Sequence, residues 1–288
     1  MSDAGGPADG TSGDPTGAAS GLTGAAGEER RAALVQGLGR VRARIADSCA
    51  AAGRSTSEVT LVVVTKTYPA SDLAALASLG VRDVGEAREQ ELRDKRARLD
   101  PVPTDGPPGR DALTGGPPGR DALTGGGGSG GGALLRWHVV GRLQRNKARS
   151  VGRLADVVHS VDDPRLVEPL ARGAADVGHR LGCFAQVSLD GDPERGGVTV
   201  EALPVLCDLL ATHEELRLLG VMAVAPLGSD PAEAFARLRE VSASVTAAHP
   251  GADAISAGMS GDLEEAVAHG ATHLRVGAAV LGPRPPTG

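Results

Sequence analysis

The 288-residue sequence is poor in aromatic side chains: Tyr68, Trp137, Phe184 and Phe235 are the whole set. Any core built from it must be aliphatic, and a nucleic-acid surface that stacks bases on rings is excluded. Positive charge is in deficit too. The formal net charge is −6, the wrong sign for a protein that gathers phosphate backbones. Cysteine is scarce, with only Cys49, Cys183 and Cys207, far apart and without a CxxC pair. That pattern excludes a disulfide framework and a zinc site and fits reduced thiols. No apolar run approaches the ~18 residues of a membrane span, and the opening MSDAGGPADG has neither the basic nor the apolar segment of a signal peptide. Together these absences predict a cytoplasmic protein that binds neither nucleic acid nor membrane.

Two stretches are too polar and too rich in small residues to fold. Residues 1–28 are largely Gly, Ala, Ser, Asp, Pro and Thr and are expected to form a disordered tail, because they cannot bury enough surface to offset chain entropy. Between about 100 and 132, GPPGRDALTG occurs twice in tandem (106–115 and 116–125) and is followed by GGGSGGG. Ten residues per unit is too short for a solenoid, so this segment reads as a flexible insertion looping from the surface.

The remainder, 29–288 without the insertion, alternates strand and helix. Strands are predicted at Val59–Thr65, Val81–Val84, Leu135–Val140, Val157–Val161, Cys183–Leu189, Leu216–Val224, Ala254–Ser256 and His273–Val276. Helices are predicted at Asp72–Leu79, Ala87–Arg98, Asn146–Leu154, Pro164–Val177, Val200–Leu210, Pro231–Ala248 and Leu263–His269, after an extra helix at Glu29–Ala51. Several end at a glycine, the left-handed stop. Eight apolar strands with intervening helices, in slightly under ~250 residues, predict a single-domain (β/α)8 TIM barrel. A doubly wound open sheet is the competing architecture, but no GxGxxG follows the first strand and no GxxxxGK[ST] occurs to support it.

The barrel gives meaning to Lys66, which follows the β-branched run VVVT at a strand's carboxyl end, where such barrels place their chemistry. At the last two strand ends, Ser256-Ala-Gly258-Met259-Ser260-Gly261 and Gly277-Ala278-Ala279 put small residues at helix N-termini. Either segment alone is a tight turn; side by side they suit a phosphate. An amine on one wall and a phosphate cradle on another fit a phosphorylated aldehyde, which the amine would hold as a Schiff base. Pyridoxal phosphate (PLP) and a sugar phosphate meet that description equally. His138 and His159 read as buried barrel histidines before acid–base groups, and the six Arg and Lys residues from Arg136 to Arg153 as a solvated helix face before a polyanion site.

The stretches LVVVTKTYP, VGEAREQEL, WHVVGRLQRNK, VHSVDD, QVSLDGDPERGG, LGVMAVAP and SAGMSGDLEEAVAHGATHLRVGAAVLG make the chain similar to the pyridoxal-phosphate homeostasis protein family. That family has the barrel of the alanine racemase class without its second domain. The resemblance implies that Lys66 carries PLP covalently, that Ser256, Gly258, Gly277 and Ala278 surround its phosphate, that Met222 and Met259 lie near the ring, and that Arg275 faces the pyridine nitrogen. A permanently charged guanidinium there disfavours ring protonation, which suits a carrier better than a carbanion catalyst. It further implies a non-enzymatic, monomeric protein concerned with PLP homeostasis, with apo PLP enzymes as recipients. Two positions depart from the family pattern: Ala87 stands where an Asn is usual, and Ala278 where a Thr is usual. Each removes a hydrogen bond of about 0.5–3 kcal/mol and predicts weaker binding.

A racemase of the same fold is the alternative. It needs an acid–base group on each face of its substrate, supplied in alanine racemases by a tyrosine of a C-terminal β-domain. Here Tyr68 is the only tyrosine, and RPPTG follows shortly after the last strand. Neither Lys95 nor Lys147, the remaining lysines, is expected to substitute for Lys66, since both fall on helical stretches.

Overall fold

The computed structural model describes residues 24–99, 135–192 and 195–283. The expected disorder of 1–23 and the tandem-repeat insertion lie outside those residues. Eight parallel strands close into a barrel in sequence order: β1 Thr60–Val64, β2 Asp83–Glu86, β3 Arg136–Val139, β4 Val157–Val161, β5 Leu181–Gln186, β6 Leu216–Met222, β7 Ala254–Ser256 and β8 His273–Val276. Closure is made by β1 on β8, with Thr60 opposite His273 and Val63 opposite Val276. Every residue of β1 is buried, as expected of a strand covered on both faces.

Helices α2 Ala70–Ser78, α3 Glu89–Leu99, α4 Arg145–Leu154, α5 Val167–Ala175, α6 Leu203–Ala211, α7 Pro231–Ala248, α8 Leu263–Ala268 and α9 Ala278–Leu281 surround the strands. The first helix, α1 Ala25–Ala51, begins four residues inside the stretch expected to be disordered. Leu34, Leu38, Val41, Ile45 and Cys49 are its buried stripe, spaced three and four apart as a one-sided helix requires. It also ties down the end of the chain. Arg30 reaches Asp72 at 2.6 Å and the Leu281 carbonyl at 2.9 Å, and Arg44 reaches Glu264 at 2.6 Å and the Ser260 carbonyl at 3.0 Å. A Cβ at Gly37 would stand 2.2 Å from the Val280 carbonyl oxygen, so only glycine permits this approach of α1 to α9.

Strands β4, β7 and β8 fall where the sequence places them, and the others differ at their ends. β5 starts two residues and ends three residues earlier than expected, and β2 runs two residues later and contains Asp83 and Glu86, both buried. Two carboxylates disguise a strand in sequence; inside the barrel each has a cationic or imidazole partner. The expected helix at Pro164–Val177 divides into a 3-10 turn, Pro164–Leu166, capped by the Asp163 carboxylate, and α5. No helix among the described residues is long and apolar enough to cross a membrane.

Candidate functional site at the carboxyl mouth of the barrel

Lys66 lies just beyond β1, half-buried, between buried Thr65 and exposed Thr67. Thr65, the residue before it, is met by Glu86, at the end of β2, and by Lys95 of α3. Lys95 falls on a helix, as expected from sequence, and its side chain is buried against the end of β1. Its Nζ donates to Glu86 Oε1 and to the Thr65 carbonyl, each at 2.8 Å. Burial pushes the Glu86 carboxyl up from its usual range, while Lys95 and the Thr65 hydroxyl that donates to it pull the other way. Glu86 Oε2 is buried without a hydrogen-bond partner among the described residues. Ala87 lies before α3, packed so closely that a Cβ on Gly141 would stand 2.4 Å from its carbonyl oxygen.

Arg275 of β8 enters the lumen from the strand next to β1, where it stands opposite Val62 in the register. It is only 6% exposed, and no carboxylate stands within ion-pairing distance of it among the described residues. Neutral oxygens hold it instead: Nη1 donates to Ser256 Oγ at 2.6 Å and Nη2 to the Ala223 carbonyl at 3.0 Å. Burial lowers this guanidinium to about 10. The Asp262 carboxylate acts on it only through its charge, without an ion pair, and a buried cation hydrogen-bonded to neutral oxygens is a place where an electron-rich ligand atom is stabilised.

Behind Arg275 a chain of hydrogen bonds crosses the barrel. Ser256 Oγ lies 2.7 Å from His159 Nδ1, His159 Nε2 lies 2.8 Å from His138 Nδ1, and His138 Nε2 lies 2.9 Å from Asp83 Oδ1. Burial works to raise the Asp83 carboxyl, but His138 and Arg136 outweigh it and hold the group down at about 2. An ionised carboxylate only accepts, so His138 carries a proton on Nε2. In the tautomer that leaves His138 Nδ1 unprotonated, that nitrogen accepts from His159 Nε2, and His159 Nδ1 accepts from the Ser256 hydroxyl. Ser256 is thereby left with lone pairs for Arg275. Burial holds His159 well below the usual histidine range, with the charges of His138, His273 and Arg275 acting in the same direction. His273 is likewise lowered by burial, to about 3. Phe184 stacks on His159 with centroids 4.7 Å apart and meets His273 edge-on at 5.0 Å.

This arrangement sorts the residues singled out from sequence. Lys66, Arg275, Gly277 and Ala278 share the mouth; a Cβ on Gly277 would stand 3.0 Å from the carbonyl oxygen of Val64, two residues before Lys66. Ser256 is fully buried, with its hydroxyl engaged by His159 and Arg275, so it belongs to the floor beneath the mouth. The hydroxyl beside α9 is that of Ser260, 3.4 Å from the Ala279 amide. Gly258 has φ +87°, and a Cβ there would meet Ala266 at 2.6 Å and Leu274 at 2.9 Å, which makes close packing its requirement. Met222 is buried with Val157, Phe184, Leu219 and Ala254; Met259 is 40% exposed on the 256–261 turn. Arg145, Lys147 and Arg149 are exposed on α4, as a solvated face requires. Asp83 and Lys95 were not recognised as part of this constellation. A carboxylate inside a strand and a lysine among ELRDKRARL look like surface residues until the barrel closes.

The family model described as alanine racemase, N-terminal domain, matches residues 38–285. The pyridoxal phosphate homeostasis protein of Mycobacterium tuberculosis is 43% identical over 265 residues, covering 89% of this chain and 95% of that protein. PipY of Synechococcus elongatus, solved with PLP bound, aligns with a TM-score of 0.63 at 31% identity, over 83% of this chain and 100% of PipY. A crystal structure of an unknown protein from Bifidobacterium adolescentis aligns with a TM-score of 0.73 at 28% identity, over 90% of this chain and 98% of that one. This chain, matched by that family model from within α1 to beyond α9 and 43% identical over 265 residues to a curated member, belongs to the pyridoxal phosphate homeostasis protein family, within the alanine racemase N-terminal domain class.

Proposed function

We propose that the protein binds PLP at the carboxyl mouth of the barrel, holds it as a Schiff base on Lys66, and hands it on to apo-enzymes without turnover of its own. The observation that carries this reading is the guanidinium of Arg275, buried and hydrogen-bonded only to neutral oxygens. Among the groups compatible with this family, a pyridine nitrogen has the lone pair that such a cation stabilises, and a charged guanidinium keeps that nitrogen unprotonated. When bound, PLP supplies a reactive aldehyde; the residues of this chain supply its setting. Lys66 is the lysine with a half-buried side chain at the mouth, whereas Lys95 is committed to Glu86 at 2.8 Å and Lys147 is exposed on α4. The Ser260 hydroxyl and the amides of the Gly277–Ala279 segment suit the phosphate, and in this reading Ser260 takes the role that sequence resemblance gave to Ser256.

The absence of turnover is supported by the state of Tyr68. A second acid–base group on the opposite face of the ligand is what a racemase requires, and the tyrosine hydroxyl is spent on the Gly282 carbonyl at 2.7 Å, with Arg30 over its ring.

The test is trapping. PLP added to purified protein, followed by borohydride reduction and peptide mapping, is expected to mark Lys66 and nothing else. Lys66→Ala should fold, lose the trapped adduct and release its PLP on dialysis. An adduct that persists in Lys66→Ala, on Lys95 for example, would overturn the assignment.

A further inference from the structure

Lys66 is the second residue of a tight turn, Thr65 to Tyr68, closed by a 3.1 Å hydrogen bond from the Tyr68 amide to the Thr65 carbonyl. The third residue, Thr67, has φ +71°. A turn with positive φ at that position follows the type II pattern, which glycine or asparagine normally fills. Threonine is branched at Cβ and is strained there, at a cost of about 1–3 kcal/mol. It is the single non-glycine residue with positive φ among those described. Nothing in its own side chain compensates, since the Thr67 hydroxyl makes no hydrogen bond among the described residues.

The compensation comes from α3. Glu91 Oε2 accepts the Thr67 amide proton at 2.9 Å, and Lys95 Nζ donates to the Thr65 carbonyl at 2.8 Å. These two residues are one helical turn apart, with Lys95 Nζ 3.8 Å from Glu91 Oε2, and Lys95 is anchored in turn by Glu86. The backbone is therefore gripped immediately before and immediately after Lys66, by one helix face. Ordinary loop packing does not require a strained threonine between two such contacts.

We propose that Glu91 and Lys95 are positioning residues: they hold the turn in a conformation that Thr67 disfavours, and so set the direction in which the Lys66 side chain leaves the backbone. The proposal rests on the reading of Lys66 as the PLP-bearing amine. Letting Thr67 relax to negative φ would rotate the peptide that follows Lys66 and swing the amine away from the mouth. Glycine would keep positive φ without assistance, so the clamp should be needed with threonine at this position and dispensable after Thr67→Gly.

That dependence is testable as a double-mutant cycle. Glu91→Ala is the better probe, because removing Lys95 strands Glu86 as a buried unpaired carboxylate. Thr67→Gly is expected to raise the melting midpoint of the PLP-free protein by about 2–4 °C. Glu91→Ala alone should weaken PLP binding about tenfold, the scale of one lost hydrogen bond, and lower the fraction trapped at Lys66. In the Thr67→Gly/Glu91→Ala protein, binding should return to within about twofold of the parent. A fall in the midpoint on Thr67→Gly, or an equal loss from Glu91→Ala in both backgrounds, would overturn the proposal. If the parent protein traps no PLP at Lys66, the functional reading fails separately. The clamp is then judged on midpoints alone: Glu91→Ala must lower the midpoint more in the parent than in the Thr67→Gly background, and equal losses refute it.

Discussion

The two faces of the same eight strands are built from opposite materials. Outward, toward the helices, the core is aliphatic, with Leu73, Leu76, Leu92, Val151, Leu170, Leu206 and Leu238 around the one tryptophan, Trp137. Inward, the lumen holds His138, His159, His273, Arg275 and Ser256, with Phe184 and Met222 as its main apolar bodies. Barrels of this class are commonly filled by layers of Val, Ile and Leu. The difference shows what each face is for: the outer layer stabilises the fold through burial, and the lumen gives part of that up to carry a cation and an oriented hydrogen-bond chain to the mouth.

Breaking the outer layer should produce the largest loss of stability. Trp137→Ala removes a fully buried indole and should cost about 3–5 kcal/mol, read as a lower urea midpoint. PLP affinity per folded molecule should change little, since Trp137 faces away from the lumen. A comparable loss of affinity would erase the distinction between the faces.

The lumen should respond to pH where the outer layer does not. His273 is held at about 3 in the folded protein by burial, against ~6.5 in the unfolded chain. The unfolded state therefore binds the extra proton first, and stability falls as pH drops from ~6.5 toward 3, by about 1.4 kcal/mol per unit for this ring. His159 acts in the same direction. Asp83 contributes the opposite kind of group, a carboxyl held down at about 2; its stabilisation is complete above ~4 and is lost between ~4 and 2. Urea midpoints at pH 7.5, 6.5 and 5.5 should decline across the series, and His273→Asn should flatten the decline. A flat profile in the parent protein would mean that the lumen does not exclude protons.

A sharper probe of the chain is Ser256→Ala, which leaves the Arg275 guanidinium and His159 Nδ1 each short of a partner. Calorimetric titration should show PLP binding weakened by about 1–3 kcal/mol with the barrel still folded. Unchanged binding would detach the chain from the site. The smallest effect expected is a gain: Ala278→Thr adds a hydroxyl beside Ser260 and should tighten binding by up to ~1.5 kcal/mol. Weaker binding would show that the pocket has adapted to alanine.

Much of the site was legible residue by residue. Lys66 after a β-branched run, Arg275 in the last strand and Gly277 beyond it all fall at one end of the barrel once strands are counted, because strand direction alone assigns the carboxyl end. Ser256 and Ser260, four residues apart on one turn, could not be told apart in that way. Which of them faces the mouth depends on whether its side chain meets β8 or α9, and sequence spacing carries no information on that.

The sequence by itself determined the number and order of the strands, the helices that separate them, and the placement of Lys66 at a strand's end. Those are consequences of local periodicity, β-branching and glycine stops, which act over a few residues. Only the tertiary structure decided that Lys95 turns inward to Glu86 and Thr65, that Thr67 is held at positive φ, and that His159 meets Ser256 across 97 residues of chain. Those contacts exist because closing the barrel brings distant segments within hydrogen-bonding distance, and a polar group buried there must find a partner or carry the cost of burial unpaired.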